Sequence, residues 1–202
     1  MKTQVVLILL LVIFLPSLLY CQPDTALVRL RDIDPSIRID VRYATTNNFT
    51  GKILYPGAEL YLRKEVAERL SEVQAFIMML GFRLKVYDGY RPLSIQKILW
   101  DATKEKKYVV NPANGSKHNR GAAVDVTLVD AKGKELDMGS EFDSFSEMSN
   151  SDAKGLSENV KKNRDILTSA MQMFGFVPNS REWWHFDYEG WKKYSVLDWK
   201  WW

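Results

Sequence analysis

Two stretches hold the residues best suited to chemistry. One is Ser116-Lys117-His118-Asn119-Arg120-Gly121-Ala122-Ala123-Val124-Asp125; the other is Glu182-Trp183-Trp184-His185. His118 and His185 are the only two histidines in the chain. Two imidazoles and the Asp125 carboxylate are sound ligands for a divalent metal. A catalytic zinc takes about three protein ligands and leaves a position for water. Two neutral imidazoles and one carboxylate leave the centre net positive, so it acidifies a water and polarises a carbonyl. Glu182, just ahead of His185, is then the candidate general base. Arg91, in Asp88-Gly89-Tyr90-Arg91-Pro92, is the candidate for stabilising an oxyanion. Together these residues read as a zinc hydrolase site.

Taken singly, each has a plainer reading. A lone histidine is more often structural than a ligand, a strand aspartate often bonds a nearby turn, and Arg91 or Glu182 could lie at the surface. Their joint occurrence favours the metal. Glu182 and His185 are three positions apart, so a regular strand would point them to opposite faces. Both can approach one metal if Glu182 lies in a turn, which Pro178-Asn179-Ser180 makes reasonable, or if a bulge intervenes.

Those residues need elements to carry them. Ala122, Val124, Val126 and Leu128 alternate with Ala123, Asp125 and Thr127, so Asp125 projects from a strand opposite an aliphatic row. Phe82 to Asp88 alternates in the same way and delivers Arg91 to a strand-to-helix junction. There Pro92 suits the first turn of a helix through Ile95, Ile98 and Leu99. The spacing of Leu62, Val66, Leu70, Val73, Ile77 and Leu80 predicts a helix over Leu60–Leu80 ended by Gly81. Ser157 caps a predicted helix through Val160, Ile166, Leu167, Ala170 and Phe174, ended by Gly175. Ile37 to Tyr43 reads as a half-buried strand, followed by a polar loop from Tyr43 to Gly51 that is either a binding loop or a plain connector. Trp183 to Tyr188 is strand-like. The aromatic-rich tail from Trp191 to Trp202 is expected to pack on the body, with an interface as the other possibility.

The start of the chain is of another kind. Lys2, the apolar run Val5–Leu15 and the exit at Leu19-Tyr20-Cys21 have the layout of a secretory signal peptide, here residues 1–21. The run is short for a spanning helix, which needs roughly 20 residues. The expectation is an exported, periplasmic protein. An uncleaved anchor, or lipidation of Cys21, is the only route to a membrane. Cys21 is the single cysteine, so residues 22–202 offer neither a disulfide nor a cysteine metal site. They suffice for one domain with a real core. A formal charge of +3, not gathered in a basic block, gives no case for nucleic acid.

Ser-x-His-x-x-Gly-x-Ala-x-Asp with a distant Glu-x-Trp-His resembles the zinc D-Ala-D-Ala dipeptidases. So do Tyr43-Ala44-Thr45 with Asn48-Phe49-Thr50-Gly51, Asp88-Gly89-Tyr90-Arg91-Pro92, and Met138-Gly139-Ser140 with Phe142-Asp143. The resemblance runs from about Leu27 to Ser195. The Ser-x-His and Trp-His elements are shared with wider D,D-carboxypeptidases; the Tyr-Ala-Thr and Gly-Ser-x-Phe-Asp stretches point to the dipeptidase branch. It implies one Zn²⁺ held by His118, Asp125 and His185, with Glu182 as general base and Arg91 as transition-state stabiliser. It also implies Asp143 and Tyr43 around the substrate's amino end and Ser116 near its carboxylate end. The implied fold is α+β, a single domain whose central antiparallel sheet carries the zinc with helices packed outside. The implied substrate is D-Ala-D-Ala or a short peptidoglycan-derived peptide. The signal peptide departs from the best-known members, which resemble cytoplasmic enzymes.

Two rival readings stand beside a dipeptidase. One is a D,D-carboxypeptidase trimming longer peptides on the same scaffold. The other is a non-catalytic wall-binding module with a structural zinc, which would want four protein ligands and leave Glu182 idle.

Overall fold

The computed structural model describes residues 26–202. The signal-peptide reading of residues 1–21 lies outside them. Among the described residues no helix is long and apolar enough to cross a membrane.

The chain opens with β1 (Leu27–Arg29), a single helical turn α1 (Leu30–Ile33) and β2 (Arg38–Ile39). Then follow β3 (Tyr61–Arg63), α2 (Lys64–Met79), β4 (Arg83–Asp88) and α3 (Leu93–Ala102). The second half adds β5 (Ala123–Val129), α4 (Glu158–Met173), β6 (Phe176–Pro178) and β7 (His185–Tyr188). The main sheet has the order β2-β4-β5-β7-β6. It is antiparallel from β4 to β6, and the edge strand β2 joins β4 in parallel. The fold is α+β, with α2 and α4 packed on β4, β5 and β6.

The aliphatic row Val124, Val126 and Leu128 shares one core with Val66, Leu70, Val73 and Ile77 of α2 and with Leu167, Ala170 and Met171 of α4. β5 is buried along its whole length, so its polar residues Asp125 and Thr127 are shielded on the other face. That is the position a buried functional carboxylate requires.

Three elements differ in extent from the sequence reading. The helix predicted over Leu60–Leu80 starts at Lys64, because Tyr61–Arg63 pair with Leu27–Arg29 in a two-stranded sheet. Leu62 and Val66 satisfy helical spacing, yet Leu62 is buried by strand pairing. Of the Ile37–Tyr43 alternation only Arg38–Ile39 join the sheet, and the chain then tightens into a 3₁₀ turn at Arg42–Ala44 that turns Tyr43 inward. Ile98 and Leu80, counted as apolar stripe residues, are exposed, Ile98 on the outer face of mid-α3 and Leu80 at the C-terminal cap of α2. The two longer helices end as expected. Gly81 and Gly175 take left-handed φ of 83° and 84°, and the Ser157 hydroxyl accepts a bond from Val160 N to start α4.

A bulge between Val86 and Asp88 shifts the register of β4 against β5. Val86 faces Val126, but Asp88 faces Asp125. The extra residue on β4 brings Asp88 beside Asp125 at the sheet end. On the other side of β5, Asp125 faces His185. Directly paired residues share a face of the sheet, so three strands present Asp88, Asp125 and His185 as one row.

Candidate metal centre and active site

His118 enters this row from a 3₁₀ turn, His118–Arg120, closed by Gly121 at φ 68°. A Cβ on Gly121 would come within 2.7 Å of Leu27 Cδ2 and 3.2 Å of Arg63 N. Glycine is therefore required there both for its backbone conformation and for space.

Three donor atoms converge. His118 Nε2 lies 3.1 Å from His185 Nδ1. Asp125 Oδ1 lies 3.0 Å from His185 Nδ1 and 3.4 Å from His118 Nε2. Among the described residues these three form the one cluster of histidine, cysteine or carboxylate donors able to hold a metal ion.

The outer ring nitrogens are already engaged. His118 Nδ1 donates to Gly89 O at 2.7 Å, and His185 Nε2 donates to Asp187 Oδ1 at 3.0 Å. Each neutral imidazole then turns a bare lone pair toward the other across 3.1 Å. Two lone pairs at that distance beside a carboxylate need a cation between them. Outward hydrogen bonds of this kind are what fix the tautomer of metal-ligating histidines. Donors around a tetrahedral zinc at about 2.0–2.1 Å sit about 3.3 Å from one another. The donor set and its spacing fit zinc. Without a metal the same demand falls on a proton: burial opposes charge on His185, yet Asp125 and Asp187 on either side raise it to about 10.

Glu182 lies in a turn closed by His185 N donating to Glu182 O at 3.1 Å. The turn resolves the spacing problem, because Glu182 Oε2 comes within 3.9 Å of His185 Nδ1. Burial pushes its carboxyl up to about 7; His185 and Arg91 oppose that rise, and Asp125 and Asp187 add to it. A carboxyl near neutrality can both take and return a proton.

Arg91 is buried at 7% exposure. Its Nε and Nη2 donate to Asp88 Oδ2 at 2.9 and 2.7 Å, and its Nη1 donates to Gln96 Oε1 at 2.9 Å. Its guanidinium lies 5.1 Å from the Tyr43 ring centroid and 3.8 Å from Asp125 Oδ2. A planar fork held on three sides is pre-organised rather than free to rotate.

Asp143 is the one non-glycine residue with positive φ among the described residues, at 60°. Such a backbone costs roughly 1–3 kcal/mol and persists where surroundings enforce it. Its Oδ1 accepts from Tyr43 Oη at 3.3 Å, while its buried Oδ2 has no hydrogen-bond partner. Burial, then the nearby Asp125 charge, push this carboxyl well above the usual range. Arg91 opposes that rise through charge, but among the described residues Asp143 makes no ion pair. Ser116 Oγ accepts from His118 N at 3.2 Å.

All eight residues singled out in the sequence line one cavity of about 310 Å³: Tyr43, Arg91, Ser116, His118, Asp125, Asp143, Glu182 and His185. The sequence reading missed three supporting residues. Asp187 holds His185 and is itself paired with Lys117 at 3.1 Å. Asp88 holds Arg91. Asn119 donates to Arg91 O at 2.8 Å and accepts from Ser116 N at 2.8 Å, tying the two site segments together. The signal for Asp187 was its place two residues after His185, on the same strand face.

The chain matches a protein family described as D-ala-D-ala dipeptidase over residues 23–195. The chain belongs to the D-ala-D-ala dipeptidase family. It is accordingly a metallopeptidase. The D-alanyl-D-alanine dipeptidase of Escherichia coli K12 is 38% identical over 173 residues, covering 86% of this chain and 90% of that one. The D-alanyl-D-alanine dipeptidase of Enterococcus faecalis is 37% identical over 171 residues, covering 74% and 85%. A vancomycin-resistance D,D-dipeptidase solved with a D-Ala-D-Ala phosphinate analogue is 20% identical, with a TM-score of 0.44 over 82% of this chain and 67% of that one.

Proposed function

We propose that this member of the D-ala-D-ala dipeptidase family is a zinc enzyme that hydrolyses D-alanyl-D-alanine to two D-alanines. The observation that carries the reading is the convergence of His118 Nε2, His185 Nδ1 and Asp125 Oδ1 within one cavity that also holds Glu182 and Arg91. When bound by these three residues, zinc supplies Lewis acidity, polarising the scissile carbonyl and lowering the pKa of a water. Glu182 takes the proton of the attacking water and passes it to the leaving amine, its carboxyl near neutrality suiting both transfers. Arg91, fixed by Asp88 and Gln96, meets the negative charge that develops on the carbonyl oxygen.

Substrate length follows from Asp143. A buried carboxylate with one oxygen unpartnered gains a partner when a free ammonium enters. A dipeptide presents that ammonium two residues from its carboxylate, whereas a longer peptide places an amide there. Tyr43 steadies Asp143, and Ser116 serves the substrate's carboxylate end. Met1 to Cys21, read as an export signal, supports action outside the inner membrane, which N-terminal sequencing of the native protein tests.

The deciding experiment is a panel of free D-Ala-D-Ala, N-acetylated D-Ala-D-Ala and a pentapeptide ending in D-Ala-D-Ala, run on zinc-loaded protein. Preference for the free dipeptide is the expected result. Preference for either blocked or longer substrate makes the enzyme a D,D-carboxypeptidase and removes Asp143 from its assigned role.

A further inference from the structure

The match to the family ends at residue 195, and Val196–Trp202 lie beyond it. This tail nevertheless crosses the two segments that deliver Arg91 and His118. Leu93 N donates to Leu197 O at 3.2 Å, and Leu197 N donates to Asn119 O at 2.8 Å. Tyr90 Oη donates to Trp199 O at 3.0 Å, and Ser94 N donates to Asp198 Oδ1 at 2.7 Å. The tail is thus tied to the Tyr90 side chain before Arg91, to the backbone at Leu93 and Ser94 after it, and to the backbone beside His118.

The end of the tail then reaches a buried hydroxyl. The Trp201 ring meets Tyr55 nearly edge-on at 5.3 Å between centroids, and Trp202 lies at 6.2 Å. Tyr55 is 1% exposed, and its hydroxyl donates to Asp88 Oδ1 at 3.1 Å. The other oxygen of Asp88 takes the Arg91 fork. An aspartate held at one oxygen can still rotate about its own side chain. Held at both, it fixes the plane and distance of the guanidinium.

We propose that Val196–Trp202 is a strap that positions Arg91: Trp201 seats Tyr55, Tyr55 fixes Asp88, and Asp88 fixes the guanidinium. The proposal rests on the reading of Arg91 as the group that meets the oxyanion. Electrostatic stabilisation depends on donors already being in place. Displacement of a positioned group by about 1 Å can cost on the order of 10²-fold in rate. A tail that only capped the fold would alter stability and metal retention, not turnover alone.

The test uses the full-length, zinc-loaded enzyme and its variants Trp201→Ala, Trp201→Phe, Tyr55→Phe, Trp201→Ala with Tyr55→Phe, and Arg91→Ala. kcat and KM for D-Ala-D-Ala, bound zinc and Tm are read for each. Trp201→Ala and Tyr55→Phe are each expected to lower kcat by roughly 10–100-fold with zinc and KM unchanged. Trp201→Phe restores most of the loss, and the double variant falls no further than the worse single one, because both act on one connection. Wild-type kcat in Trp201→Ala beside an inactive Arg91→Ala overturns the strap and leaves the Arg91 reading standing. Loss of kcat in proportion to loss of zinc also overturns it. If Trp201→Ala does not fold, wild-type kcat in the near-isosteric Tyr55→Phe overturns it instead. Wild-type turnover in Arg91→Ala removes the reading and the strap together.

Discussion

His118 Nε2 and His185 Nδ1 face each other across 3.1 Å, and each ring's other nitrogen is bonded outward, to Gly89 O and to Asp187 Oδ1. The pair is therefore set up for a cation before any cation arrives. Asp187 governs which nitrogen of His185 is left bare. Asp187→Asn can still accept the bond but lacks the charge and gives up the ion pair with Lys117. Outer partners of ligating histidines are typically worth 10–100-fold in metal affinity or activity. Asp187→Asn is expected to weaken zinc by about that factor, read by competition with a chelator of known affinity. Wild-type zinc affinity in the variant would show that Asp187 does not orient His185.

Asp143 yields a prediction about selectivity rather than rate. Asp143→Ala removes the buried partner proposed for the substrate ammonium. KM for D-Ala-D-Ala is expected to rise by roughly 10–100-fold, the range for losing a hydrogen bond to a charged group of about 1.5–3 kcal/mol. KM for the N-acetylated dipeptide should change little. Equal changes for both substrates would place the substrate's amino end elsewhere.

The contrast between these two aspartates marks what the sequence made legible. The candidate metal cluster was readable because its chemistry is rare in this chain: two histidines, one strand aspartate between them in sequence, and a glutamate three residues before the second. Helix α4 was readable from local signals, its serine cap and terminal glycine. Roles set by distant pairing were not. The start of α2 is fixed by pairing of Tyr61–Arg63 with Leu27–Arg29, which no local periodicity records. Asp88 faces Asp125 only because of a bulge. Tyr55 reaches Asp88 across 33 residues of sequence and is backed by a tail still further away.

Stability offers an independent check on how the tail region is anchored. Glu65, on the first turn of α2, accepts from Tyr194 Oη at 2.6 Å and Tyr188 Oη at 2.9 Å and pairs with Lys193. Burial alone would raise its pKa, but these three donors bring it down to about 2 from an ordinary 4.5. A carboxylate depressed in the folded state contributes stability that is complete above its unfolded value and is lost as pH falls through its folded value. The window is therefore about 4.5 down to 2. Glu65→Gln is expected to cost about 1 kcal/mol at neutral pH, since the cluster is partly solvated. That corresponds to a Tm lower by about 2–4 °C. The gap from wild type should shrink across the acid window; a gap that stays constant from pH 6 to pH 2.5 would assign the loss to packing instead.

In the proposed reaction Glu182 moves the proton in a zinc-dependent hydrolysis of D-Ala-D-Ala. The most direct measurement is kcat for D-Ala-D-Ala in zinc-loaded wild type and Glu182→Ala, with bound zinc determined on the same samples. General acid–base groups are worth roughly 10²–10⁴-fold, so kcat should fall by that order while zinc stays at one per chain and the fold is intact. Turnover by Glu182→Ala at nearly the wild-type rate, with zinc bound, would show that Glu182 is not the proton carrier.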